Sequence, residues 1–195
     1  MIGGKPGRSA INKQPVTGDV AIGLLGLAGD ECADKVDHGG FDQAVYAYAR
    51  EDLDWWTEQL GRELPNGIFG ENVTTAGLDI SAALIGETWQ LGAAVLQITG
   101  PRIPCETFKS WLDEPHWVKR FAAAGRPGAY LRVLAPGTVK AGDELTVLTR
   151  PGPAVTVAEG MRAFYGDREI MRKLLEVEGR SAKWDEIGAD VLSTA

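Results

Sequence analysis

Cysteine, histidine and methionine are all scarce in this chain, at two, two and three residues of 195. The two cysteines, Cys32 and Cys105, cannot form a disulfide framework, so a hydrophobic core has to hold the fold, and such sparing usage suits a reducing compartment. No Cys/His pair has zinc-finger spacing. Long apolar runs are missing as well: none approaches the roughly 20 residues of a membrane span. The opening Met1-Ile2-Gly3-Gly4-Lys5-Pro6 has no apolar secretion-signal core, so a soluble, cytoplasmic protein without a membrane partner is expected. Positive charge is in deficit, with 20 Lys and Arg against 27 Asp and Glu, a formal charge of −7 and no basic block. That balance argues against generic nucleic-acid binding. It leaves room for a small anionic ligand, which a few converging basic groups can hold. The glycine patterns of phosphate-binding loops and dinucleotide folds are also absent.

Glycine, by contrast, is abundant at 25 residues, and its scatter through the first 150 predicts many turns between short strands. Strands are predicted near Val16 to Ile22, after the turn at Gly39-Gly40, over Ile85 to Leu91 paired with Ala93 to Thr99, over Ala129 to Leu134 and over Glu144 to Thr149. A helix is predicted to open at Arg50, with Leu53, Trp56 and Leu60 on one face and Gly61 as its stop. Asp113 is read as the cap of a further helix carrying Trp117, Val118 and Phe121. Pro151-Gly152-Pro153 marks a boundary. Beyond it, Thr156-Val157-Ala158-Glu159 fits a capping box, and three short helices are expected to Leu192. The expectation is mainly β with α: a β domain over residues 1–150 and a helical extension over 151–195.

Chemistry concentrates at Gly100-Pro101-Arg102-Ile103-Pro104-Cys105. Pro101 and Pro104 hold extended backbone on both sides of Arg102, and a nearby cation favours the thiolate form of a cysteine, which attacks electrophiles and binds metals. A buried cysteine acting as a small hydrophobe is the competing reading. Other polar outliers are His38, the Gly39-Gly40 turn where backbone can approach a ligand closely, and the segment Glu71-Asn72-Val73-Thr74.

The motifs H-G-G-F-D-Q-A-V, F-G-E-N-V-T-T, I-G-E and P-R-I-P-C, in that order, resemble the MOSC domain, the C-terminal domain of molybdenum cofactor sulfurases, and within it the YiiM-like stand-alone proteins. The resemblance implies a MOSC-type β-barrel holding a molybdenum-pterin cofactor, with Cys105 as metal ligand. It also implies reduction of N-hydroxylated compounds, hydroxylaminopurines among them, with electrons from an external donor protein. Ser9, Lys13, Arg50 and Arg102 become candidates for the cofactor phosphate. Asn72, Thr74 and the backbone at Gly39 and Gly40 become candidates for the pterin edges, and His38 or Glu71 for moving protons. The chain departs from relatives at Asp37 and at Glu106 and Thr107, positions that bear on substrate contacts. Relatives also carry a strand before the segment matching Gly4-Lys5-Pro6, so either the start is late or the barrel has a gap there. Two alternatives share these residues: a carrier that binds cofactor or sulfur without turnover, and a hydrolase using Cys105, His38 and Asp42 as nucleophile, base and orienter.

Overall fold

A computed structural model describes residues 11–30, 39–152 and 154–193. Six strands form one sheet in the order β4-β3-β7-β6-β5-β9, and three form a second in the order β2-β1-β8. The strands are β1 Val20–Gly23, β2 Gly26–Leu27, β3 Val45–Ala49, β4 Val73–Thr75, β5 Thr88–Leu91, β6 Ala94–Pro101, β7 Ala129–Ala135, β8 Gly137–Val139 and β9 Leu145–Thr149. All neighbours are antiparallel except β3 and β4. A parallel pair needs a crossover, and the helix α1, Arg50–Leu60, supplies it and ends on Gly61 in the left-handed region. Register shifts interrupt the β6–β7 ladder twice. Such irregularities bend and twist a sheet, in keeping with a six-stranded sheet curled into a half-barrel.

Strand β3 is the wall between two cores. All five of its residues are buried, and because side chains alternate across a strand, they divide. Val45, Ala47 and Ala49 belong to an aliphatic core with Trp89, Ile98 and Leu131, whereas Tyr46 and Tyr48 belong to an aromatic one. The aromatic core gathers Trp56 from α1, Phe108 from α2 (Glu106–Leu112), Trp117 and Phe121 from α3 (Trp117–Ala124), and Phe69 from the loop before β4. Phe69 meets Phe108 edge to face with ring centroids 5.1 Å apart, the geometry that ring quadrupoles favour.

The three terminal helices, α4 (Val157–Phe164), α5 (Arg168–Leu175) and α6 (Lys183–Ser193), form as expected. Thr156 accepts from the Glu159 backbone and Glu159 reaches back to the Thr156 N–H, a complete capping box. Met171, Leu174 and Trp184 enter the same aliphatic core as the strands. Helix α4 approaches β6 closely: a Cβ on Gly160 would stand 2.8 Å from Ile85 and 3.0 Å from Pro101.

One expectation is corrected. Asp113 does not start a helix; it ends α2, in the left-handed region at φ 52°, and α3 begins only after His116, at φ 56°. Aspartate tolerates that conformation because its short side chain bonds locally, so it can close a helix as well as open one. No helix among the described residues is long and apolar enough to cross a membrane.

Candidate functional site

Strand β6 delivers the site. It ends at Pro101, and four residues later Cys105 caps α2 with extended backbone at φ −115° and ψ 172°, its carbonyl accepting the Lys109 N–H at 3.0 Å. Cys105 is half-buried and packs against the edge of the aromatic core.

Arg102 is only 5 % exposed. Its guanidinium carbon lies 3.7 Å from the Phe108 ring centroid and 5.4 Å from that of Tyr46, and one amine donates to the Phe69 carbonyl at 3.1 Å. Burial works against the charge, but the side chains of Tyr130, Tyr46 and Cys105 facing it more than offset this, and Arg102 stays a firm cation. Its Nε has no hydrogen-bond partner in the structure. A buried cationic donor left unpaired costs free energy, so this atom is suited to an anionic acceptor.

Tyr46 connects the remaining candidates. Its hydroxyl donates to the Pro127 carbonyl at 2.9 Å, and burial holds the phenol well above its ordinary pKa. The Tyr46 N–H donates to Asn72 Oδ1 at 2.9 Å, and the Asn72 N–H returns to the Tyr46 carbonyl at 2.8 Å. Asn72 Nδ2 then donates to Asp30 at 2.6 Å, and Asp30 is ion-paired with Lys13. Glu71, buried beside this chain, accepts from the N–H groups of Gly67 at 2.5 Å and Phe69 at 3.0 Å and from the Thr74 hydroxyl at 3.2 Å. Burial raises its pKa against the pull of those donors. Glu71 therefore shapes the loop whose Phe69 carbonyl holds Arg102.

Gly39 and Gly40 have φ of 81° and 78°, a pair of consecutive left-handed residues that only glycine adopts readily, and nothing lies within 4 Å of where a Gly40 Cβ would be. Thr99 Oγ1 donates to the Asp42 carbonyl at 2.5 Å, seating this turn against β6 three residues before Arg102. Arg50 is engaged elsewhere, by Asp54 at 2.9 Å, Asn66 at 2.7 Å and the Leu64 carbonyl at 3.0 Å. Ser9 and His38, like Asp37 and the Gly4-Lys5-Pro6 segment, lie outside the described residues. The structure thus sets Arg102 and Asn72 directly on Tyr46, with Lys13 linked to it through Asp30 and Asn72, Thr74 bonded to Glu71, and Cys105 at the edge of the same aromatic core. Tyr46, Tyr130, Phe108 and Asp30 escape sequence reasoning; the one available signal was the pair of phenols, Tyr46 and Tyr48, in the otherwise apolar strand β3.

A profile of the MOSC domain matches residues 34–146, a span holding Gly39, Gly40, Glu71, Asn72, Thr74, Arg102 and Cys105. The chain belongs to the MOSC domain family. This MOSC protein is 34% identical over 187 residues to YiiM of Escherichia coli K12, covering 93% of the chain and 82% of that protein. It is also 34% identical over 184 residues to YflK of Bacillus subtilis 168, with 93% and 83% covered. A Gibberella moniliformis protein named Reductase is 35% identical over 173 residues, 86% of this chain but 30% of that protein. The crystal structure of YiiM from Geobacillus stearothermophilus superposes with a TM-score of 0.82 at 30% identity, covering 94% of this chain and 89% of that one. The fold is YiiM-like over the superposed part of the chain.

MOSC domains are linked in general to the molybdenum cofactor, and the residues present fit such a group. An unpartnered Arg102 Nε beside a half-buried Cys105 matches an anionic, metal-bearing ligand. Among the described residues no three His, Cys, Asp or Glu side chains gather into a metal site. A metal here would depend on Cys105 and on the cofactor's own donors.

Proposed function

We propose that this MOSC protein holds a molybdenum-pterin cofactor at Cys105 and reduces N-hydroxylated compounds with electrons from an external donor protein. The observation that carries this reading is the buried Arg102 with its free Nε, facing Cys105 across the aromatic core edge. The name of the fungal relative is in keeping with it. When bound, the cofactor would supply the two-electron chemistry.

The chain's own residues supply placement. Cys105 offers a thiolate to the metal, and Arg102 Nε donates to an anionic oxygen of the ligand. The rings of Phe108 and Tyr46 keep water from that cation, so its attraction is little screened. Nothing lies within 4 Å of where a Gly40 Cβ would stand, which leaves room beside this turn for a ligand edge. Reducing an N–OH group to N–H consumes two electrons and two protons and releases water. Glu71, whose carboxyl is held above its ordinary pKa, can keep a proton closer to neutral pH than an exposed glutamate. Asp42, the orienter of the hydrolase alternative, pairs with Arg132 at 2.8 Å through one oxygen and accepts the Ala182 N–H at 3.2 Å through the other.

The test is molybdenum and pterin content of the protein purified from a host that makes the cofactor, beside a Cys105→Ala control, followed by turnover of an N-hydroxylated base with an artificial electron donor. Stoichiometric metal lost in the variant, together with turnover, is the expected result. Metal without turnover points to a carrier, and no metal in either folded protein sinks the reading.

A further inference from the structure

A shallow groove of about 500 Å³ begins where the candidate site ends. Helix α2 contributes Glu106, the residue after Cys105, and Lys109, whose N–H bonds the Cys105 carbonyl. Helix α3 contributes Val118, Lys119 and Ala122, with His116 just before it, and Tyr165 closes the groove from the end of α4. A groove this open can cover one face of a small organic molecule and leaves the other to solvent.

The lining has two chemistries. Tyr165 keeps 51 % of its surface exposed, held edge-on to Phe164 at 5.2 Å between ring centroids, so a flat aromatic face is on offer. Val118 and Ala122 are four residues apart on one helix and share a face. That part suits a planar, largely apolar body. The other part is cationic, on a chain whose net charge is −7. Lys109 and Lys119 line it beside a single carboxylate, Glu106. Glu106 holds Lys109 at 3.1 Å, but both side chains are well exposed, and such a pair contributes little and gives way to a competing anion. Lys119 makes no ion pair with any described residue. Two ammonium groups are point charges suited to a phosphate.

We propose that this groove binds a nucleotide: a planar base laid on Tyr165 with its phosphomonoester at Lys109 and Lys119. The candidate reductase would then take N-hydroxylated bases carried as nucleotides in addition to free bases, an assignment of substrate class that rests on the function proposed above. The groove itself is tested without turnover, by isothermal titration of the purified chain with adenosine 5′-monophosphate, adenosine and inorganic phosphate. The monophosphate binds more tightly than either fragment, and added salt weakens it. Lys119→Ala and Lys109→Ala each weaken the monophosphate by about fivefold, a screened charge contact, and leave adenosine unchanged. Tyr165→Ala weakens monophosphate and adenosine alike. All three residues are exposed, and a melting curve for each variant confirms folding. Equal affinity for adenosine and its monophosphate overturns the proposal, as does indifference to both lysines. Phosphate alone binding as tightly as the nucleotide reduces the groove to a general anion site and overturns it as well. If the chain carries no molybdenum yet binds the monophosphate as described, the reductase reading fails and the groove stands. If it carries molybdenum and turns over a free base while the groove binds nothing, the reverse holds.

Discussion

Glu71 puts a carboxylate where water hardly reaches and turns it to holding a loop. Its pKa is raised from the ordinary 4.5 by burial, more than the backbone donors of Gly67 and Phe69 lower it. Between 4.5 and that raised value the folded chain keeps a proton that the unfolded chain has released, so stability falls as pH rises through this window. Asp52 acts in the same direction, burial outweighing its bond to Arg126. Replacing Glu71 by Gln removes its share of the pH dependence and leaves that of Asp52. It also sets an amide NH₂ against one of two backbone N–H groups, a loss of about 1–3 kcal/mol. Denaturant titrations of both proteins from about pH 4 to about pH 8 check this. The expected outcome is a Glu71→Gln chain that is less stable throughout and flatter with pH.

The loop between α3 and β7 shows how an element positions side chains it does not contain. Tyr46 and Tyr48 donate to the carbonyls of Pro127 and Arg126, and Gly128, at φ 65°, brings the backbone against β3. A Cβ there would stand 2.6 Å from the Ala47 carbonyl and the Tyr48 ring and 2.8 Å from the Tyr46 ring. Gly128→Ala is expected to destabilise the fold by more than about 2 kcal/mol. A thermal melt reads the loss, and near-ultraviolet circular dichroism reads the displaced tyrosines. The same loop marks what sequence could reveal. Local patterns announced α1 with its Gly61 stop, the β5–β6 hairpin and the Thr156 capping box, because each depends on residues a few positions apart. They failed at Asp113, where one residue type serves either end of a helix. In the site, proline bracketing singled out Cys105 and Arg102. Tyr46 stayed hidden because its hydroxyl partner is 81 positions away, and Asp30 because it meets Asn72 across 42.

At the scale of the molecule, the far end of the chain braces the candidate site. The segment 180–184 donates to Thr99 through the Ser181 N–H at 2.9 Å and the Trp184 indole at 3.2 Å, and accepts Arg132 on the Arg180 carbonyl at 2.9 Å. Asp42, just past the Gly39-Gly40 turn, is held by the same segment and by Arg132. Asp42→Ala is expected to cost about 1–3 kcal/mol and to speed hydrogen exchange at residues 39–43 and 180–184 together, with α1 and α2 unaffected. Exchange monitored by mass spectrometry checks it, and acceleration confined to one of the two segments would show that they are not coupled. The bracing also sets an order in time. A chain leaves the ribosome from its first residue onward, so the glycine turn, already seated on Thr99 and Arg132, gains its last support only when residues 180–184 have emerged. A ligand that needs the complete brace is therefore inserted late, once residues 180–184 have joined the fold.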